Sequence, residues 1–357
     1  MKTILFIAIA FLSTLGYGQG PVGAYFLNGD AKDASGNGND GTLEIQAIFP
    51  PGKNDPKPDT GHTGQINTAL YFNGDISDGY AYVDVGTPSV LDFDSTKDFT
   101  ISVWFKYAGL LFTPTIVTNV GAAWGEGYLL SLVNNSGKIR PRFALGATAP
   151  AKSNTVDVAG QQILSADTWY NYIVTVDRSN NVLKLYLDGV QLGLQKNSSG
   201  GTAGTISGNN MDFSSVTTSA AHGANLQIGM TSNFGTTCFL DGTLDDLFFY
   251  DRVLTDAEIQ DLQNDKVPGL SGTTGVIEIK SIGNLKVYPN PCGAKLSVFI
   301  KEVKRDSQLE VLDLSGQVVY SKSVDSGLRI NTISSEQLKS GMYLIRYNDQ
   351  VVKFYKN

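Results

Sequence analysis

Histidine and cysteine are scarce in this chain, which holds two of each in 357 residues. With only His62 and His222, a histidine-built metal centre or a Ser-His-Asp triad has little material. With only Cys238 and Cys292, the chain is no disulfide scaffold. The two cysteines fall in different candidate domains, so a bridge between them and two separate thiols both stay open. Charged residues are few, at 17%, but hydrophobic residues reach 41%, which excludes a disordered chain. Positive charge is the minority sign: 27 Lys and Arg stand against 34 Asp and Glu, a formal net charge of −7. That balance speaks against nucleic acid or an anionic membrane surface as partner and suits cation binding. No apolar run is long enough for an ordinary membrane span. The run Ile4–Leu12 follows Lys2 and precedes small residues, so residues 1–18 read as a secretory signal peptide cut after Gly18. No cysteine lies near that cut, which argues against a lipid-anchored leader. No glycine-rich phosphate loop follows a strand.

What is present is strand periodicity. In "FTISVWFKY" (Phe99–Tyr107), Ile101, Val103 and Phe105 alternate with Thr100, Ser102, Trp104 and Lys106. "WYNYIVTVD" and "NVLKLYLDG" read as a hairpin across "DRSNN". Further strands are expected at Ala69–Asn73, Ala81–Val85, Gly127–Val133, Ile139–Leu145, Leu226–Met230 and Thr243–Tyr250. Gln195–Gly223, rich in Gly, Ser, Thr and Asn, reads as a long surface loop or a pair of weak edge strands. One helix stands out in "LTDAEIQDLQN", where Thr255 caps, Glu258 reaches back, and Leu254 and Ile259 form a staple. A boundary follows at Asn264–Gly275, and then a second strand-rich segment of small-sandwich size. The expected class is all-β throughout.

The stretch "DASGNGNDGTLE" (Asp33–Glu44) places oxygen-bearing residues and a glycine where an EF-hand loop needs them. The flanks refuse that reading: Gly20, Pro21 and Gly23 upstream and Pro50–Pro51 downstream cannot form the two helices. Asp40 also stands where such a loop is apolar. The oxygen-rich character remains. A second acidic feature lies in "TLDDLFFY", where strict alternation puts Asp245 with Leu247 and Phe249, and Asp246 with Phe248 and Tyr250. Both faces are apolar, so one carboxylate risks an uncompensated charge. A bound cation would resolve that; so would capping of backbone amides or pairing with Arg252.

Six motifs in order, "AYFLNGDAKDASGNGNDGTL", "ALYFNG", "DFTISVWFK", "DTWYNYIVTVD", "LKLYLDGVQLG" and "LDGTLDDLFFYDRVLTDAEIQDL", resemble the LamG-like jelly-roll domains of the concanavalin A-like lectin/glucanase superfamily. Asn171 departs from the pattern, since many relatives carry His there. The resemblance implies a structural calcium held by Asp245 and by Asp33 of the N-terminal loop, with Asp30, Asn37 and Asn39 as looser candidates; Glu44 is not expected among the ligands. From about residue 280 to the end, "LKVYPNPCGAKLSV", "LEVLDLSGQVVYS", "SGMYLIRY" and "VVKFYKN" are similar to the type A C-terminal sorting domain of the type IX secretion system of Bacteroidetes. The resemblance implies recognition by that machinery, then release or attachment at the outer surface. The expected architecture is a signal peptide (1–18), a LamG-like jelly-roll sandwich (19–265), a linker (266–280) and a small Ig-like sorting sandwich (281–357).

Retaining glucanases of this superfamily carry a Glu-x-Asp-x-x-Glu strand that supplies nucleophile and acid/base carboxylates. No such run occurs. Asp92 and Asp94 share part of the spacing without a Glu partner and suit surface turns. The expectation is therefore a non-catalytic binding protein with extracellular glycan as ligand; a structural or adhesive protein is the alternative and a glycan-active enzyme the third. Trp124 in "GAAWGEGY" is the candidate sugar-stacking ring, or else a ring packed beneath its loop. Deleting residues 280–357 is expected to trap the protein in the periplasm, as read by cell fractionation. Normal export of the shortened chain would contradict the sorting assignment.

Overall fold

The computed structural model describes residues 19–46, 56–74, 80–94, 96–109, 114–120, 126–146, 155–197, 205–207, 210–212, 224–231, 238–270, 285–288, 290, 292–300, 307–313, 316–324, 330–348 and 350–356. Trp124, His222 and the signal peptide lie outside these residues.

Alternation in Phe99–Tyr107 builds the core as read. Phe99, Ile101, Val103, Phe105 and Tyr107 point into one large cluster with Tyr128, Leu130, Phe143, Leu145, Val156 and Val158 of an opposing sheet. The first sheet has ten strands, running in the order 205–207, 210–212, 182–187, 170–177, 99–107, 242–250, 69–72 and 57–59, with 23–25 and 190–191 paired off that path. The second has eight, in the order 194–196, 155–160, 138–146, 127–135, 115–118, 226–228, 80–86 and 42–46. Every pairing is antiparallel, as a Greek-key sandwich requires. The expected hairpin is present, with Tyr172 opposite Leu187 and Asp177 opposite Val182. The weak edge strands read into Gln195–Gly223 exist at Thr205–Ser207 and Asn210–Asp212. Strands at Thr42–Gln46, Lys57–Asp59, Thr115–Thr118 and Thr155–Gly160 were not legible. They are short or half polar, and pairing rather than alternation defines them.

The helix Asp256–Gln263 starts as expected: the Thr255 side chain accepts from the Glu258 amide, and Glu258 accepts from the Thr255 amide. Glu258 also forms a two-pronged bond with Arg252 at 2.7 and 2.9 Å. Arg252 is thus the helix's partner, not that of Asp245 or Asp246. Leu254, Ile259 and Leu262 bury against Ala24, Ile173, Tyr186, Phe248 and Tyr250. The helix therefore covers one half of the outer face of the ten-stranded sheet and leaves the other half to the site described below.

The C-terminal segment is a separate sandwich of a three-stranded sheet (285–288, 295–300, 330–334) and a four-stranded sheet (318–323, 308–312, 341–347, 350–356). Leu296, Val298, Ile300, Leu309, Val311, Ile345 and Phe354 close its own core. Cys292 sits in that core and Cys238 in the jelly roll, and no disulfide joins them.

On the outer face of the eight-stranded sheet, Arg142 and Asp157 form a buried ion pair with two parallel bonds of 2.8 and 2.7 Å. The Asn197 amide closes over the same carboxylate at 3.2 and 3.3 Å. Asp157→Ala removes one carboxylate of a buried, two-pronged ion pair and is expected to cost about 3–5 kcal/mol. Urea unfolding of wild type and variant measures it; a loss under about 1 kcal/mol, the worth of an exposed pair, would contradict the buried assignment.

Candidate functional site

The last strand, Gly242–Tyr250, does not alternate strictly. Asp245 lies opposite Trp104 and Phe248 opposite Ser102, so three steps on one strand meet two on the other. Asp246 is the extra residue of a β-bulge and takes φ 47, a left-handed backbone that Asp tolerates better than most residues. The bulge corrects the sequence expectation. Leu244, Leu247 and Phe249 point inward, while Asp245 shares the outer face with Phe248 and Tyr250, which pack under the helix. Asp245 is only 3% exposed, and Asp246 is half-buried beside it.

The partner of Asp245 comes from "GHTG", 183 residues earlier. Gly64, at φ 79, closes a tight turn by donating to Gly61 O at 2.9 Å. A Cβ on Gly61 would stand 2.5 Å from Asp245 Oδ2, so only glycine lets the loop come this close. The loop delivers His62. Its backbone amide and its ring Nδ1 both meet Asp245 Oδ2, at 3.1 and 2.7 Å. Its Nε2 meets Asp265 Oδ1 at 2.7 Å, just beyond the helix. The ring lies flat on Trp104, centroids 4.2 Å apart and planes 10° apart, and meets the edge of Trp169 at 6.1 Å. Burial alone would lower the His62 pKa, but the hydrogen bonds to Asp245 and Asp265 outweigh it and raise the value to about 10. Burial and the neighbouring Asp245 charge push Asp246 up to about 8, against the pull of Lys353 and His62.

The N-terminal loop is built differently. Asp33 accepts from the amides of Ala24, Ser35 and Asn39 at 3.0, 2.9 and 3.0 Å and from Asn39 Nδ2 at 3.3 Å. Burial works against these bonds, yet they hold the Asp33 pKa below its ordinary value. Asn37 Nδ2 donates to Val22 O, and Asp30 accepts from the Lys32 amide in a local turn. Calcium needs about six to eight oxygens turned toward one point. Here the oxygens of Asp33 face N–H donors, and Asp245 Oδ2 faces His62. The set Asp33, Asp245, Asp30, Asn37 and Asn39 therefore does not fit one calcium. The two carboxylates belong to separate networks with no shared partner among the bonds named. Among the described residues, the group whose ligand atoms converge, all within 4.8 Å, is His62, Asp245 and Asp246.

Beyond His62 the uncovered half of the outer face is polar and aromatic. Lys106 lies 5.3 Å from the centre of the Trp169 ring and 3.8 Å from Asp59. Thr243 donates to Asp59 at 2.7 Å, and Tyr71 OH to Asp241 at 2.8 Å. Trp104 and Trp169 are both half-buried. Asn171, opposite Trp104, is 1% exposed, and neither atom of its amide has a partner. None of His62, Asp265, Trp104, Trp169 or Lys106 was singled out from sequence. The outward phase of Trp104 was the one available signal.

Residues 77–260 match the family model of the concanavalin A-like lectin/glucanases superfamily, and residues 286–356 match the secretion system C-terminal sorting domain. The chain belongs to that lectin/glucanase superfamily and carries a type IX sorting domain behind it. It is accordingly exported, to be secreted or attached at the cell surface. No helix among the described residues is long and apolar enough to cross a membrane. No curated protein matches the chain. Among solved structures it is similar to domain 4 of AbnA, an extracellular arabinanase from Geobacillus stearothermophilus, in complex with arabinotriose (20% identity, 68% of this chain and 98% of that one, TM-score 0.45). It is also similar to a sialidase CBM40 from Ruminococcus gnavus bound to α2,3-sialyllactose (15% identity, 47% and 82%, TM-score 0.33). A SAP-like pentraxin from Limulus polyphemus matches at 15% identity over 47% and 70%, TM-score 0.32.

The sign of the His62 and Asp246 shifts fixes a pH dependence. A histidine raised from 6.5 to about 10 contributes stability that is full below pH 6.5 and lost as pH rises through 10. Asp246, raised from 3.8 to about 8, adds a loss in the same direction. Urea unfolding is expected to show stability falling from pH 6.5 to 10 in wild type and a flatter profile in His62→Gln. Identical profiles would contradict the role of His62.

Proposed function

We propose that the jelly-roll domain is a non-catalytic carbohydrate-binding module, and that its contact surface is the uncovered half of the ten-stranded sheet's outer face. The observation that carries this reading is Trp169, half-buried just before strand 170–177 and beside Lys106, while the face of Trp104 is taken by His62. An indole face stacks on the C–H face of a sugar ring. Around it Lys106, Asp59, Tyr71 and Asp241 offer donors and acceptors to hydroxyl groups. Acceptors outnumber cations on this shelf, which suits a neutral saccharide better than an anionic one. A shallow concavity near Asp92 and Asn119 has a cavity volume of only about 10 Å³, far below the roughly 300–1,000 Å³ of ordinary small-molecule pockets. That favours recognition on an open shelf. The non-catalytic reading is supported by the occupation of the converging carboxylates: Asp245 holds His62, and Asp59 holds Thr243 and Lys106. A glycosidase needs two such groups free to act on the glycosidic oxygen and the anomeric carbon.

A glycan array followed by calorimetry on the full chain tests the proposal. Binding of a neutral oligosaccharide is expected, weakened at least ~10-fold by Trp169→Ala, about 1.4 kcal/mol, within the range of a lost stacking contact. Absence of binding to any glycan would sink the lectin reading in favour of a structural or adhesive protein. Binding unaffected by Trp169→Ala would move the site elsewhere.

A further inference from the structure

The geometry points to the imidazolium ring of His62 as the permanent internal cation of this jelly roll, standing where a metal was expected, so that the domain closes on a histidine instead of an ion. Carboxylates only accept, and each ring nitrogen lies 2.7 Å from a carboxylate oxygen. Both nitrogens must then carry hydrogen, which is the charged form of the ring. The face of the ring lies on Trp104 at 4.2 Å, an arrangement that favours a cation over the indole.

His62 Nδ1 stands 2.7 Å from Asp245 Oδ2, so in this arrangement that nitrogen carries a proton where a metal would need its lone pair. The groups facing the ring are Asp245 and Asp246 from the last strand, Asp265 beyond the helix, and Trp104 and Trp169. The charge of Lys353, from the C-terminal sandwich, also acts on Asp246. One positive ring thus sits among three carboxyl groups.

What the ring ties together gives the clasp a use. It joins the Gly61–Gly64 turn, the bulge of the last strand and the residue that ends the helix. Asp265 is left-handed, at φ 58, directly after the helix cap Asn264. His62 therefore fastens the end of the last element before the segment that leads to the sorting sandwich.

Thermal unfolding of the full chain, with EGTA or EDTA and with millimolar Ca²⁺ or micromolar Zn²⁺, tests the inference. Wild type is expected to melt at one temperature in all conditions. His62→Gln, which keeps a polar side chain but no charge, is expected to lower it by ~5 °C or more, as loss of a buried ion-pair partner does. His62→Arg, which restores a cation, is expected to recover at least half of that loss. A lower wild-type melting temperature with chelator, or a higher one with either metal, would overturn the inference. So would His62→Gln melting with wild type, or His62→Arg melting no higher than His62→Gln. The wild-type arm stands even if a variant fails to fold, and no arm depends on glycan binding.

Discussion

A buried carboxylate has to meet a positive or hydrogen-bonding partner, and in this jelly roll that requirement falls on Asp245. The bulge at Asp246 turns Asp245 to the outer face of the ten-stranded sheet. From there the rest of the face follows. His62 must come close, which demands glycine at position 61 and a left-handed Gly64. Its ring then needs a flat support, which Trp104 supplies. Its second nitrogen needs an acceptor, which Asp265 supplies from the far side of the helix. One electrostatic demand thus fixes a loop, a bulge and a helix terminus that lie far apart in sequence.

That arrangement divides the outer face by function. The helix and its apolar partners Ile173, Phe248 and Tyr250 seal one half. The other half carries Trp169, Lys106 and Asp59, with Trp104 beneath His62. A sheet face that is neither core nor ordinary solvated surface is where a flat, hydroxyl-rich ligand can lie. The sorting sandwich has a core of its own and marks the chain for export.

Much of the fold was legible because strand alternation and capping are local. Ile101, Val103 and Phe105 point inward as their spacing says, and Thr255 and Glu258 cap the helix as their spacing says. The chain-terminal motifs identified the sorting domain. The site was much less legible. Strict alternation placed Asp245 on the wrong face, since a single extra residue in a bulge reverses every side chain after it. The clasp between Asp33 and Asp245 rests on resemblance, and in the structure the two carboxylates bond to different partners. His62 was set aside because two histidines cannot build a zinc centre. One histidine suffices, however, for a proton-based ion pair, and nothing in its neighbours announces a partner 183 residues away.

The central claim is that the sheet is closed by a proton-bearing ring and holds no ion there. Native mass spectrometry of the purified full chain, exchanged into volatile buffer without chelator, tests this most directly. The account predicts the mass of the polypeptide alone, unchanged when calcium is added at concentrations well below those that bind proteins at random. A stoichiometric increment of one calcium or one zinc, removed by chelator and lost in Asp245→Asn, would contradict it.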